Sequence, residues 1–123
     1  MAYDAYLVER VRRIFSERYV EAEERRMMGG LCFMVDDKMC VYVKDANLMA
    51  RIGPDLYEEA LQQEGIEPVG GGEKRKPMTG FVMISPEAID LDEQLESWVE
   101  KCLAYNPIAQ SSKRKASKQK AKR

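Results

Sequence analysis

The sequence predicts a two-layer α+β domain built on a central antiparallel sheet, in the order helix, three strands, helix, one or two strands, helix. Three observations carry that reading. The stretch Met27 to Val43, MMGGLCFMVDDKMCVYV, is the one long apolar run, and Asp36-Asp37-Lys38 breaks it with turn chemistry, which marks a β-hairpin. The segments flanking it carry apolar residues at helical spacing. Strand runs follow one another through short turns, as antiparallel pairing allows and parallel pairing does not.

Taken in order, the first element is a helix from about Asp4 to about Tyr19. Asp4 supplies an N-cap and Tyr3 with Val8 a hydrophobic staple, while Leu7, Val11, Ile14 and Phe15 form the buried stripe. Glu21 to Arg26 reads as a charged bridge into the hairpin. Lys44-Asp45-Ala46-Asn47 is the next turn, and Leu48 to Ile52 a third strand pairing back on the second.

Gly53-Pro54 ends that strand and opens a helix with Pro54 at its first position. Asp55, Glu58 and Glu59 sit near the positive end of its dipole, Leu56, Tyr57, Ala60 and Leu61 form its buried face, and Gly65 stops it. A short strand at Glu67-Pro68-Val69 precedes the loop Gly70 to Pro77, and Phe81 to Ile84 is a further strand. Asp90 with Glu93 gives a capping-box pattern for the last helix, whose apolar face is Leu91, Leu95, Trp98, Val99, Cys102 and Leu103 and which Asn106-Pro107 ends.

The organisation is one domain over 1–107 and a basic tail over 108–123, expected to be disordered because it holds no apolar residue larger than alanine beyond Ile108. The net charge of −1 hides an asymmetry. Before the tail 13 basic residues face 21 acidic ones, a balance of −8, and the tail carries +7. Lys113, Arg114, Lys115, Lys118, Lys120, Lys122 and Arg123 can neutralise phosphates with salt-sensitive, sequence-independent affinity, although no aromatic residue is interleaved to stack on bases. A solvated tail with no specific partner is the competing reading.

Composition narrows the chemistry. There is no histidine, so the commonest general acid–base and the commonest metal ligand are both missing. Cys32, Cys40 and Cys102 have no disulfide or zinc spacing and read as small buried hydrophobes, with Cys32 and Cys40 facing each other across the hairpin in one of its registers. Gly70-Gly71-Gly72-Glu73-Lys74 lacks the Gly-Lys-Ser/Thr ending of a phosphate loop and feeds a strand. Asp36 and Asp37 are explained by the turn. No catalytic residue, metal or cofactor is therefore assigned. No segment resembles a signal peptide or a membrane span, so a cytoplasmic protein without a membrane partner is expected.

One feature points toward function. Both hairpin strands are apolar on both faces, whereas a sheet with water on one side should alternate apolar and polar residues. The second face, with Cys32, Met34, Cys40 and Tyr42, is therefore a candidate partner surface, and homodimerisation is its simplest form. Core filling is the competing explanation for the methionines that cluster in the strands.

Over about Tyr3 to Tyr105 the chain resembles the N-terminal domain family of the TfoX/Sxy regulators of bacterial natural competence. The resemblance rests on Met27-Met28-Gly29-Gly30-Leu31-Cys32-Phe33 and on Leu48-Met49-Ala50-Arg51-Ile52-Gly53-Pro54 followed by Tyr57-Glu58-Glu59-Ala60-Leu61. Pro77-Met78-Thr79-Gly80-Phe81 and the helix of Trp98 complete it. It implies an α+β domain with a central antiparallel sheet. It also implies a role in transcriptional control of DNA-uptake genes through partnership with a DNA-bound activator and without catalysis.

The leading expectation is thus a non-enzymatic regulatory or protein-interaction domain. The first alternative is a ligand-binding protein or enzyme with a pocket between sheet and helices, using Tyr42, Arg51, Tyr57 or Lys74. The second is a chaperone-like adaptor that binds other chains through its sheet.

Overall fold

A computed structural model describes residues 3–70 and 77–109 of the chain. Helix α1 (Ala5–Glu17) is followed by strands β1 (Glu23–Met27), β2 (Gly30–Val35), β3 (Lys38–Lys44) and β4 (Asn47–Arg51). Helix α2 (Pro54–Leu61), strands β5 (Ile66–Gly70) and β6 (Pro77–Ile84), a 3₁₀ turn (Pro86–Ile89) and helix α3 (Asp92–Tyr105) complete the order. The six strands form one antiparallel sheet in the order β1-β2-β3-β4-β6-β5, so the expected α+β class holds.

Four expectations are corrected. Gly65 does not stop α2, which ends at Leu61 with Gln62 as its C-cap, and Leu91 stands outside the buried face of α3, exposed at its N-terminus. Glu23–Met27 is an edge strand, not a bridge; the two-residue turn Met28-Gly29, with φ of 51° and 80°, folds it back on β2. Its polar sequence hid it, because an edge strand that meets solvent needs no apolar alternation and charged side chains discourage further pairing. The cap of α3 is displaced by one residue from the expected Asp90/Glu93 box. Gln94 Oε1 accepts from the Leu91 N–H at 2.8 Å, and Leu91 is the N-cap.

The other junctions follow their local chemistry. Asp4 caps α1 by accepting from the Tyr6 and Leu7 amides. Asp36 and Asp37 both take left-handed φ, 54° and 65°, as a two-residue hairpin turn requires. Gly53 has φ 91° at the entry to α2, and Pro54 opens the helix.

The core lies between the sheet and all three helices. Register fixes which strand residues face it: Leu31, Val43, Leu48, Ile84 and Ile66 form one row across five strands, and Phe33, Val41, Ala50 and Val82 the next. These pack with Val8, Val11, Ile14 and Phe15 of α1, Tyr57 and Ala60 of α2, and Leu95, Trp98, Val99 and Cys102 of α3. At about 1.5–3 kcal/mol per fully buried large aliphatic or aromatic side chain, this layer dominates the folding free energy.

Polar contacts tie the helices to the sheet and to each other. Arg12 forks onto Glu24 with two contacts of 2.7 Å, joining α1 to β1. Arg10 donates to the Ile89 and Asp90 carbonyls, and Arg18 pairs with Glu100 across α1 and α3. Asn106, buried, donates from Nδ2 to the Val35 carbonyl at 3.2 Å, and Lys38 Nζ donates to the Asn106 carbonyl at 3.0 Å. The end of α3 is thereby fastened to the β2–β3 turn.

Candidate functional site

The helices cover one face of the sheet. On the other, Cys32, Met34, Tyr42 and Met49 form a second buried cluster, against which half-buried Met27, Met39, Val69, Phe81 and Met83 pack. Every one of these nine residues lies on a strand. Five are methionines, whose unbranched, polarisable side chains adapt to irregular or exchanging contacts.

The middle of this face is a single row of paired residues that crosses all six strands: Arg25, Cys32, Tyr42, Met49, Met83 and Glu67. Paired residues project to the same side of a sheet, so the row is apolar in its centre, with a cation on β1 and an anion on β5.

Tyr42 is the anchor of the row. Its hydroxyl lies 2.9 Å from both the Met27 and the Met28 carbonyl and shares its one proton between them, bracing the β1–β2 turn. Its ring reaches there by crossing β2 at Gly30, where a Cβ would lie 2.7 Å from Tyr42 Cζ and Oη. Only glycine leaves that passage. Burial pushes the phenol above its ordinary range.

Cys32, with no exposed surface, has its thiol pushed up to about 11, mainly by burial and next by Cys40, with Arg25 acting in the opposite sense. It stays a neutral thiol near neutrality. Arg51 continues the face at the end of β4, with its guanidinium 5.3 Å from the Phe81 ring and 6.0 Å from that of Tyr105.

Of the four residues expected on this surface, Cys32, Met34 and Tyr42 are brought together and Cys40 is not. The reason is a bulge: Phe33 pairs with Val41 but Met34 with Met39, so Cys40 is an extra residue in β3. It turns to the helix side, where its thiol meets that of Cys102 in the core. The bulge also brings Cys32 opposite Tyr42; Cys32 does not face Cys40, and all three cysteines are free.

Met49 and Met83, two of the methionines that cluster in the strands, belong to the face together with Phe81. Their strands read as continuous apolar runs, and only register assigns such residues to a side. The tail residues Lys113, Arg114, Lys115, Lys118, Lys120, Lys122 and Arg123 lie outside the described residues, as do Lys74 and the rest of 71–76.

A separate groove of about 810 Å³ runs between the end of α2, the 3₁₀ turn and α3. Glu64, Glu87, Glu93, Gln63, Ser97, Lys101 and the edge of Trp98 line it. Tyr42, Arg51 and Tyr57, the polar groups expected of a ligand pocket, are not among its lining residues. Among the described residues no group of three His, Cys, Asp or Glu is arranged to hold a metal ion, and no helix is long and apolar enough to cross a membrane.

These features define a small α+β domain whose sheet carries its helices on one face and an apolar, methionine-rich cluster on the other. The TfoX N-terminal domain family matches residues 14–105, and the chain belongs to that family. No curated protein and no solved structure was matched significantly.

Proposed function

We propose that this chain is a non-enzymatic regulatory domain that holds a partner protein on the second face of its sheet. One observation carries the reading: an apolar cluster spanning the sheet to which no helix contributes. Its four central residues are buried, and the half-buried Met27, Met39, Val69, Phe81 and Met83 around them supply the apolar surface that marks an interaction site. Membership of a family that is in general non-catalytic supports the absence of an enzymatic role. The resemblance to competence regulators supports action alongside a DNA-bound transcription activator, without assigning that activator to this face, and the seven positive charges of the tail support salt-sensitive, nonspecific affinity for nucleic acid.

Site-resolved cross-linking in cells tests the reading. With photoreactive methionine incorporated throughout, the cross-links to other polypeptides are expected from Met27, Met39 and Met83 on the face. Met28 and Met78, both exposed and outside the cluster, serve as internal references. Cross-links confined to those two would refute an interaction through this face.

A further inference from the structure

From the charge pattern of the central row we infer that the occupant of the second face is a second copy of this chain, packed face to face about a two-fold axis parallel to the strands. This rests on the reading of the face as an interaction surface and names its partner and its geometry. A two-fold axis parallel to the strands reverses the row, so that β1 of one copy lies over β5 of the other. Arg25 then stands opposite Glu67 of the second copy, and Glu67 opposite its Arg25, with Cys32, Tyr42, Met49 and Met83 between them. Such an interface is isologous and closes on itself.

The alternative in-plane axis, along the row, would place Arg25 over Arg25 and Glu67 over Glu67. Like charges brought opposite one another cost free energy, so charge selects the first orientation. Sheets packed face to face lie about 10 Å apart, a gap that an extended arginine and a glutamate span together. Arg25 already holds Glu23 with Nε and Nη2, at 3.1 and 3.2 Å, on its own strand. A guanidinium has five N–H donors, so it can serve a second carboxylate from across the interface. Glu67 is exposed.

The two edges of the sheet argue against the other way of pairing copies. β1 carries Glu23, Glu24, Arg25 and Arg26, and β5 carries Pro68, which has no N–H to donate. Charge and proline on edge strands oppose sheet extension. The face, where Met27, Met39, Val69, Phe81 and Met83 stay half-buried around a buried centre, is left as the surface through which copies can meet. Six strands at about 4.8 Å spacing and five residues at about 3.3 Å each give a footprint of roughly 24 Å by 17 Å, small for a dimer, so the association is concentration-dependent.

Sedimentation equilibrium of the full chain over a wide concentration range, at low and moderate salt, tests this. The wild type is expected to be in monomer–dimer exchange. Arg25→Glu and Glu67→Arg each place like charges at both ends of the interface and are expected to raise the dissociation constant on the order of tenfold, since two exposed pairs are lost at once. The double variant R25E/E67R restores opposite charges and is expected to recover the wild-type constant. Both positions are at the surface of edge strands, and circular dichroism of each variant verifies folding. A wild type that is monomeric throughout overturns the second copy as occupant, while face-methionine cross-links to a different protein would leave the proposed function standing. A dimer that ignores both single substitutions, or that the double variant fails to restore, overturns the orientation.

Discussion

Gly30→Ala isolates the feature that organises the second face. The new Cβ would stand 2.4 Å from the Val43 carbonyl oxygen and 2.7 Å from Cζ and Oη of Tyr42. The Val43 carbonyl is backbone within a paired strand and cannot swing away, so the Tyr42 ring must lift or β2 must separate from β3. Overpacking of this kind costs about 1–3 kcal/mol. Displacing the phenol also removes its shared hydrogen bond to the Met27 and Met28 carbonyls, about 0.5–1.5 kcal/mol. Against these, replacing glycine in a strand recovers about 0.5–1 kcal/mol of backbone entropy. The net expectation is a destabilisation of about 2 kcal/mol, read as a lower urea midpoint at unchanged m-value. Tyr42→Phe, which removes only the hydroxyl, is expected to cost about 1 kcal/mol in the wild type and markedly less on the Gly30→Ala background, where the hydroxyl has already left its acceptors. A Gly30→Ala chain as stable as the wild type, or additive effects of the two substitutions, would refute the crossing of β2 by the Tyr42 ring.

Two further outcomes concern protonation. Glu24 accepts both arms of Arg12, and that hydrogen bonding lowers its carboxyl below the usual 4.5. A depressed folded-state pKa contributes stability that is present above the unfolded value and disappears as pH falls through the folded one. Glu24→Gln is therefore expected to cost up to about 1 kcal/mol at pH 7 and to cost nothing in denaturant titrations well below pH 4, both partners being partly solvent-exposed; an acid-independent cost would contradict the pairing. Cys32, with its thiol raised from 9.0 to about 11, holds its proton more tightly folded than unfolded. Stability should fall as pH rises from about 9 to about 11, and alkylation of Cys32 by iodoacetamide in the folded chain should be far slower at pH 8 than in urea. Equal rates folded and unfolded would show that the face does not shield it.

The sequence made the helices legible because each has to satisfy a rule with few solutions. Leu7, Val11, Ile14 and Phe15 on α1 recur at the one spacing that makes a buried stripe, and all four are buried; Pro54 opens α2 for reasons of backbone geometry alone, whereas its end at Leu61, capped by Gln62, was not legible and Gly65, with φ 85°, serves the turn into β5. The strands were legible as strands from β-branched and aromatic content, except β1, whose Glu-Glu-Arg-Arg composition serves its position at the edge and conceals its pairing. Sidedness was the harder matter. Where a strand is apolar on both faces the period of two carries no information about which side is which, and the decision falls to register.

Cys40 shows what register adds. A strict alternation through Met39-Cys40-Val41-Tyr42 puts Cys40 on the side of Tyr42, with Cys32 and Met34. One extra residue in β3 between the Met34–Met39 and Phe33–Val41 pairs turns Cys40 to the helices while leaving Met39 and Tyr42 on the second face. The bulge thus lets a seven-residue strand pair with a six-residue one and still present Met34, Met39 and Tyr42 together. It also places Cys40 against Cys102, so that α3 rests on β3 where it ends against the β2–β3 turn. No local motif announces such a bulge, because its cause is the need to satisfy two apolar layers at once. The same two-sided demand makes the second face a surface with its own cluster, its own anchor in Tyr42 and a central row that runs from Arg25, itself paired with Glu23, to Glu67.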